Sequence, residues 1–187
     1  MLSIIFNSVI VISVCGAVAA LVKNNPVRAV LRYFTVLSNI LCASGALLMV
    51  ISRLNGSVPQ AVLYLKYSGT CAVAVTLLTV LFFLGPVMGY KMLLTGPDFW
   101  LHLFCPVLSI VSLLFRDKVA MGFPFVFLGV LPVALYAVLY VYKVLILPEE
   151  EGWEDFYGFN RGGRWPVSLV AMLAGSFLIS WVLWMLM

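Results

Sequence analysis

Charge is scarce in this chain, and so are the residues that carry most catalytic or metal chemistry in soluble proteins. Eleven Lys and Arg, seven Asp and Glu and one His are spread over 187 residues, so charged side chains make up 10% of the sequence. Soluble domains carry about 25%. No run of Lys and Arg is present to grip a phosphate backbone, so no nucleic-acid partner is expected. The formal net charge of +4 is left for orientation and anionic headgroups. The four cysteines, Cys15, Cys42, Cys71 and Cys105, fall in four different apolar segments, with no CxxC and no Cys/His metal spacing. They read as small buried hydrophobes, which excludes a disulfide framework and a zinc site. A haem usually takes more than one histidine can give, although Met ligation stays open. No metal and no cofactor is expected.

What is abundant is apolar surface. The chain is 64% hydrophobic and its mean hydropathy is +1.15, which predicts an integral membrane protein. A spanning helix needs roughly 20 apolar residues. Six segments meet that need, at about 2–22, 33–51, 61–84, 98–115, 123–147 and 165–187. The expected fold class is all-α: a polytopic membrane protein, one bundle of six transmembrane helices over 1–187, with no separate catalytic domain. Segment one has no charged n-region and is read as a retained helix, not a cleaved signal. Gly85-Pro86 is expected to end segment three, and Pro132 to kink segment five.

Six crossings put loops one, three and five at one end of the bundle, and both termini with the even loops at the other. Lys23, Arg28, Arg32, Lys91, Lys143, Arg161 and Arg164 lie near the odd loops; Arg53, Lys66, Arg116 and Lys118 lie near the even ones. The positive-inside rule leans toward cytoplasmic odd loops. Whatever the sign, segments two and four both enter the membrane at the odd-loop end. Thr35 and the sole histidine, His102, therefore share a shallow depth, and the long loop from Pro148 to Arg164 lies at the same end.

Thr35, Ser38 and Asn39 share one helix face at i, i+3, i+4. A threonine hydroxyl becomes a nucleophile only with a base in hydrogen-bond reach, and neutral histidine is the usual base. An ionisable residue inside a membrane segment is a functional candidate by default. Thr35 and His102 are thus the candidate catalytic pair. Asn39 is a candidate oxyanion donor, and Ser38 the competing hydroxyl. Each has a structural alternative, since Ser, Thr, Asn and His also bond membrane helices to one another. Asp98, four residues before His102, reads as a helix cap in preference to an imidazole-orienting group. The acidic run 149–155 reads as a solvated loop without calcium-loop spacing. Tyr157 and Phe159 after it are candidate lid or headgroup contacts, whereas Tyr136, Tyr140 and Lys143 are assigned to packing and interface anchoring.

The stretch Arg32-Tyr33-Phe34-Thr35-Val36-Leu37-Ser38-Asn39 resembles the androgen-induced-gene and TFPI-regulating-protein family of membrane hydrolases, above all its bacterial six-helix relatives with their F-T-x-x-S-N pattern. Trp100-Leu101-His102 followed by Pro106 is similar to the family's W-L-x-H segment, and Tyr157-Gly158-Phe159 to its Y-P-F. The resemblance implies an intramembrane threonine hydrolase in which Thr35 and His102 act on lipid esters, such as fatty acid esters of hydroxy fatty acids. It implies membrane lipids and a lipid ester or fatty acid as partners, and a bacterial inner membrane as location. Two departures stand out: Gly158 replaces the loop proline, and Ser112 stands where bacterial relatives often place an acid. The alternative function is a non-enzymatic transporter or binding protein for an amphipathic ligand, which calls for a polar path through the bundle.

Overall fold

The computed structural model describes residues 1–118, 120–148 and 150–187. Among the described residues, six helices are long and apolar enough to cross a membrane: α1 (Leu2–Asn24), α2 (Phe34–Leu54), α3 (Gln60–Met88), α4 (Pro97–Phe115), α5 (Phe123–Ile146) and α6 (Trp165–Leu186). There is no strand among the described residues. The chain is an all-α, multi-pass integral membrane protein.

α3 is the central element. It packs against α2, α4, α5 and α6, while α1 closes the outer side of α2 and α4. Half of its most apolar stretch is buried, against 17% for α6, whose outer face is left to lipid. The α2–α3 contact is made backbone to backbone. A Cβ added at Gly69 would come within 2.8 Å of the Cys42 Cα, and one at Gly45 within 3.1 Å of the Lys66 Cα. Small residues permit that approach, which supplies the dispersion contact that lipid cannot. Three of the cysteines, Cys42, Cys71 and Cys105, are buried as expected, but Cys15 is exposed on the outer face of α1.

Prolines shape three of the helices, each with a visible repair. Pro86 does not end α3, contrary to the sequence reading. The helix continues to Met88 through a π-helical turn at Val80–Leu84, where the Gly85 N–H reaches back to the Val80 carbonyl. Pro106 has the same effect in α4. It has no N–H for the His102 carbonyl four residues earlier, so the ladder widens over Trp100–Phe104 and the Cys105 N–H bonds to the Trp100 carbonyl. In α5, Pro132 leaves the Leu128 carbonyl without its helical donor. The Ser68 hydroxyl of α3 donates to that carbonyl at 2.7 Å.

Candidate active site

His102 stands in the widened turn of α4 and is 7% exposed. Loop three folds back over it as a short helical turn, Tyr90–Leu93, between Gly89 (φ 90°) and Gly96 (φ 61°). Both glycines occupy the left-handed region that other residues avoid. The Leu93 carbonyl thereby comes within 2.7 Å of His102 Nδ1. A carbonyl can only accept, so Nδ1 carries the proton and Nε2 presents a lone pair. Thr35 Oγ1 lies 3.3 Å from that Nε2. The hydroxyl donates to the imidazole, as a nucleophile does to its base. The distance is long for an O–H···N bond, as such contacts often are before a ligand tightens them.

The other two polar residues of the α2 face do different work. Asn39 is fully buried and gives both amide protons to main-chain carbonyls, Thr35 O at 2.8 Å and Leu101 O at 2.9 Å. It therefore has no proton left for an oxyanion, which corrects that expectation. Its role is to tie the backbone at Thr35 to the residue before His102. Ser38 donates to the Thr35 carbonyl at 3.0 Å and lies 3.0 Å from the Thr76 hydroxyl, so its partners are structural and His102 is not among them. Asp98 makes no side-chain cap bond at the start of α4, and the imidazole is oriented by the Leu93 carbonyl instead.

A cavity of about 470 Å³ opens beside Thr35. α2, α3, α5, α6 and loop five line it, and its wall is almost entirely apolar. At the mouth stand Phe34, Thr35, Tyr140, Tyr157, Gly158 and Phe159; toward mid-bundle the wall is formed by Val75, Val133, Ser176 and Ile179. Thr35 forms part of this wall, with His102 outside it. Phe83, 70% exposed, and Ala171 also line the cavity, so it opens sideways between α3 and α6 toward the lipid. Tyr136 and Tyr140, expected in packing and interface anchoring, are wall residues too.

Loop five covers the mouth. Asp155 accepts bonds from the Tyr140 hydroxyl at 3.0 Å, the Phe159 N–H at 2.7 Å and the Asn160 N–H at 2.8 Å. It is an organising residue and not part of a solvated acidic run; Glu149, at the head of that run, lies outside the described residues. Tyr157 accepts the Phe34 N–H at 3.1 Å, filling one of the orphan amides at the start of α2. Burial among aromatic neighbours pushes the Tyr157 phenol up to about 12. Arg32 stacks over Tyr33 and Phe156, 4.9 and 5.3 Å from the ring centroids, and its carbonyl accepts the Tyr136 hydroxyl.

A second polar cluster, absent from the sequence reading, lies at the even-loop end. Asp117 is fully buried and accepts from Ser3 at 2.6 Å, Asn7 at 2.8 Å and Ser112 at 2.6 Å, with Arg53 3.8 Å away. Lys66, counted from the sequence as an interface residue, is fully buried in α3, and its Nζ has no hydrogen-bond partner among the described residues. Asp117 sits in an Arg-Asp-Lys triplet that looks like a solvated loop. The only available signal was a Ser and an Asn one turn apart on α1, at the end where Asp117 emerges.

Comparison with protein families, with curated proteins and with solved structures found no match to this chain.

Proposed function

We propose that the protein is an intramembrane ester hydrolase in which Thr35 is the nucleophile and His102 the base. One observation carries the reading: the Thr35 hydroxyl points at an imidazole nitrogen freed to accept, and it does so on the wall of an apolar cavity. A purely structural threonine would bond to a neighbouring helix away from any space. A carrier would call for a polar path through the bundle, whereas this cavity is walled almost entirely by apolar groups. The resemblance noted in the sequence favours the same chemistry, with lipid esters such as fatty acid esters of hydroxy fatty acids as substrates. It also favours a bacterial inner membrane, and the distribution of Lys and Arg favours cytoplasmic odd loops.

In this mechanism the acyl chain enters from the lipid between α3 and α6, and the ester carbonyl stops beside Thr35. His102 Nε2 takes the hydroxyl proton as Thr35 Oγ1 bonds to the carbonyl carbon. The negative charge gathers on the carbonyl oxygen, facing the Tyr157 hydroxyl, whose proton is not used by its bond from Phe34. Collapse of this intermediate breaks the ester C–O bond, and the leaving alcohol takes the proton from Nε2. Water then gives a proton to Nε2 as it attacks the acyl-threonine, and the proton returns to Thr35 as the acid is released.

The test is hydrolysis of lipid esters by purified protein in nanodiscs. Thr35→Ala and His102→Ala are each expected to lower kcat by about a thousandfold or more, with unchanged helix content and melting. Thr35→Ala protein that keeps its activity, or still forms an acyl adduct with an ester-mimicking probe, defeats the assignment.

A further inference from the structure

Six cavity-lining residues of α6, from Ser168 through Ala171, Met172, Gly175 and Ser176 to Ile179, recur at helical spacing and form one stripe. It begins one turn inside the odd-loop end, at the depth of Thr35, and ends at mid-bundle. At 1.5 Å per residue the stripe is roughly 16 Å long. An extended chain advances roughly 1.2 Å per covalent bond, so a linear acyl chain of about a dozen carbons fits that depth. Gly175 lies near the centre of the stripe, roughly 10 Å below its start. A Cβ built there meets no atom within 4 Å. The buried helix glycines Gly45 and Gly69 give the opposite result, because there a neighbouring backbone fills the space. Gly175 therefore faces the open part of the cavity, where any larger side chain would project across it.

We propose that Gly175 determines the acyl chain length this site accepts. The missing side chain lets a chain anchored at Thr35 pass down α6 to Ile179, selecting linear acyl groups of about a dozen carbons. The chemistry rests on the hydrolase reading, but the length limit rests on the cavity alone.

The test uses Gly175→Leu and Gly175→Phe, both better helix formers than glycine, in full-length protein in nanodiscs. Two readouts are taken: kcat/KM for para-nitrophenyl octanoate and dodecanoate, and displacement of a fluorescent fatty acid by octanoic and dodecanoic acids. The dodecanoyl-to-octanoyl ratio is expected to fall by about tenfold in Leu and more in Phe, since the methylenes beyond the eighth carbon are denied part of their apolar site. A ratio that stays constant, or equal losses on both lengths, overturns the proposal. If no form of the protein hydrolyses either ester, the hydrolase reading fails. The displacement ratio then decides this inference by itself: a shift in favour of the shorter acid upholds it and no shift overturns it.

Discussion

The two ends of the bundle carry polar clusters of similar size and opposite character. At the even-loop end, Asp117 takes three hydroxyl and amide donors into a fully buried site, and none of these residues lines the cavity beside Thr35. At the odd-loop end, Thr35 spends its hydroxyl on an imidazole and faces open space. Buried polar groups must be paired in either case. What separates structure from chemistry is whether the pairing leaves a reactive atom beside a volume that a ligand can occupy. Polar residues at a helix entrance do not by themselves make that distinction.

Substitutions can break this contrast or sharpen it, and the largest effects come from swapping the two ends. Thr35→Ala is expected to abolish hydrolysis while leaving thermal unfolding in detergent nearly unmoved, because it removes one long hydrogen bond. Asp117→Ala should do the reverse. It strands the donors of Ser3, Asn7 and Ser112 in the interior and should cost about 3–5 kcal/mol of stability, with specific activity kept in the fraction that remains folded. If Asp117→Ala instead removed activity from stable protein, the two ends would be functionally joined and the contrast lost.

Asn39→Ala tests the border between the two kinds of cluster. Loss of both amide donors leaves the Leu101 carbonyl unpaired, while the Thr35 carbonyl keeps its bond from Ser38, for about 1–3 kcal/mol of stability. Thr35 and His102 should also drift apart, which under the proposed hydrolysis lowers kcat by about tenfold to a hundredfold with little change in KM. Lys66→Met is expected to be neutral or to raise the melting temperature, since it replaces a buried amine without a hydrogen-bond partner among the described residues by an apolar group of similar length. A clear loss of stability would mean that Lys66 has a compensating partner. The smallest effect concerns the cover. An unfolded tyrosine ionises near 10.0, whereas Tyr157 in the folded protein holds its proton to about 12. Between those values the unfolded state binds fewer protons than the folded one, so stability falls as pH rises through the window. Tyr157→Phe should flatten that alkaline slope, read by melting temperature against pH, and should lower kcat without abolishing it.

Much of this arrangement was legible before any coordinates. Helix count follows from apolar run length, and the common depth of Thr35 and His102 follows from parity, since consecutive helices must alternate in direction. The lone histidine identified itself by rarity. Lateral position was not legible. Asn39 has the same spacing from Thr35 whether its amide faces a substrate or the Leu101 carbonyl, and only the α2–α4 packing decides. Pro86 was misread because a π turn absorbs the missing hydrogen bond. Asp117 escaped notice because its flanking Arg and Lys are the usual marks of a loop in water. The cavity is built from residues that are absent or small, such as Gly175, and empty volume leaves no mark in composition.

The Leu93 carbonyl has one more consequence. The group that fixes the imidazole tautomer is a main-chain atom, so every amino acid at position 93 supplies it equally well. Side-chain changes in loop three should be tolerated broadly so long as Gly89 and Gly96 keep their turns. Inserting or deleting a single residue between them would carry the carbonyl out of reach of His102. In this part of the protein the number of residues, more than their identity, holds the imidazole in its orientation.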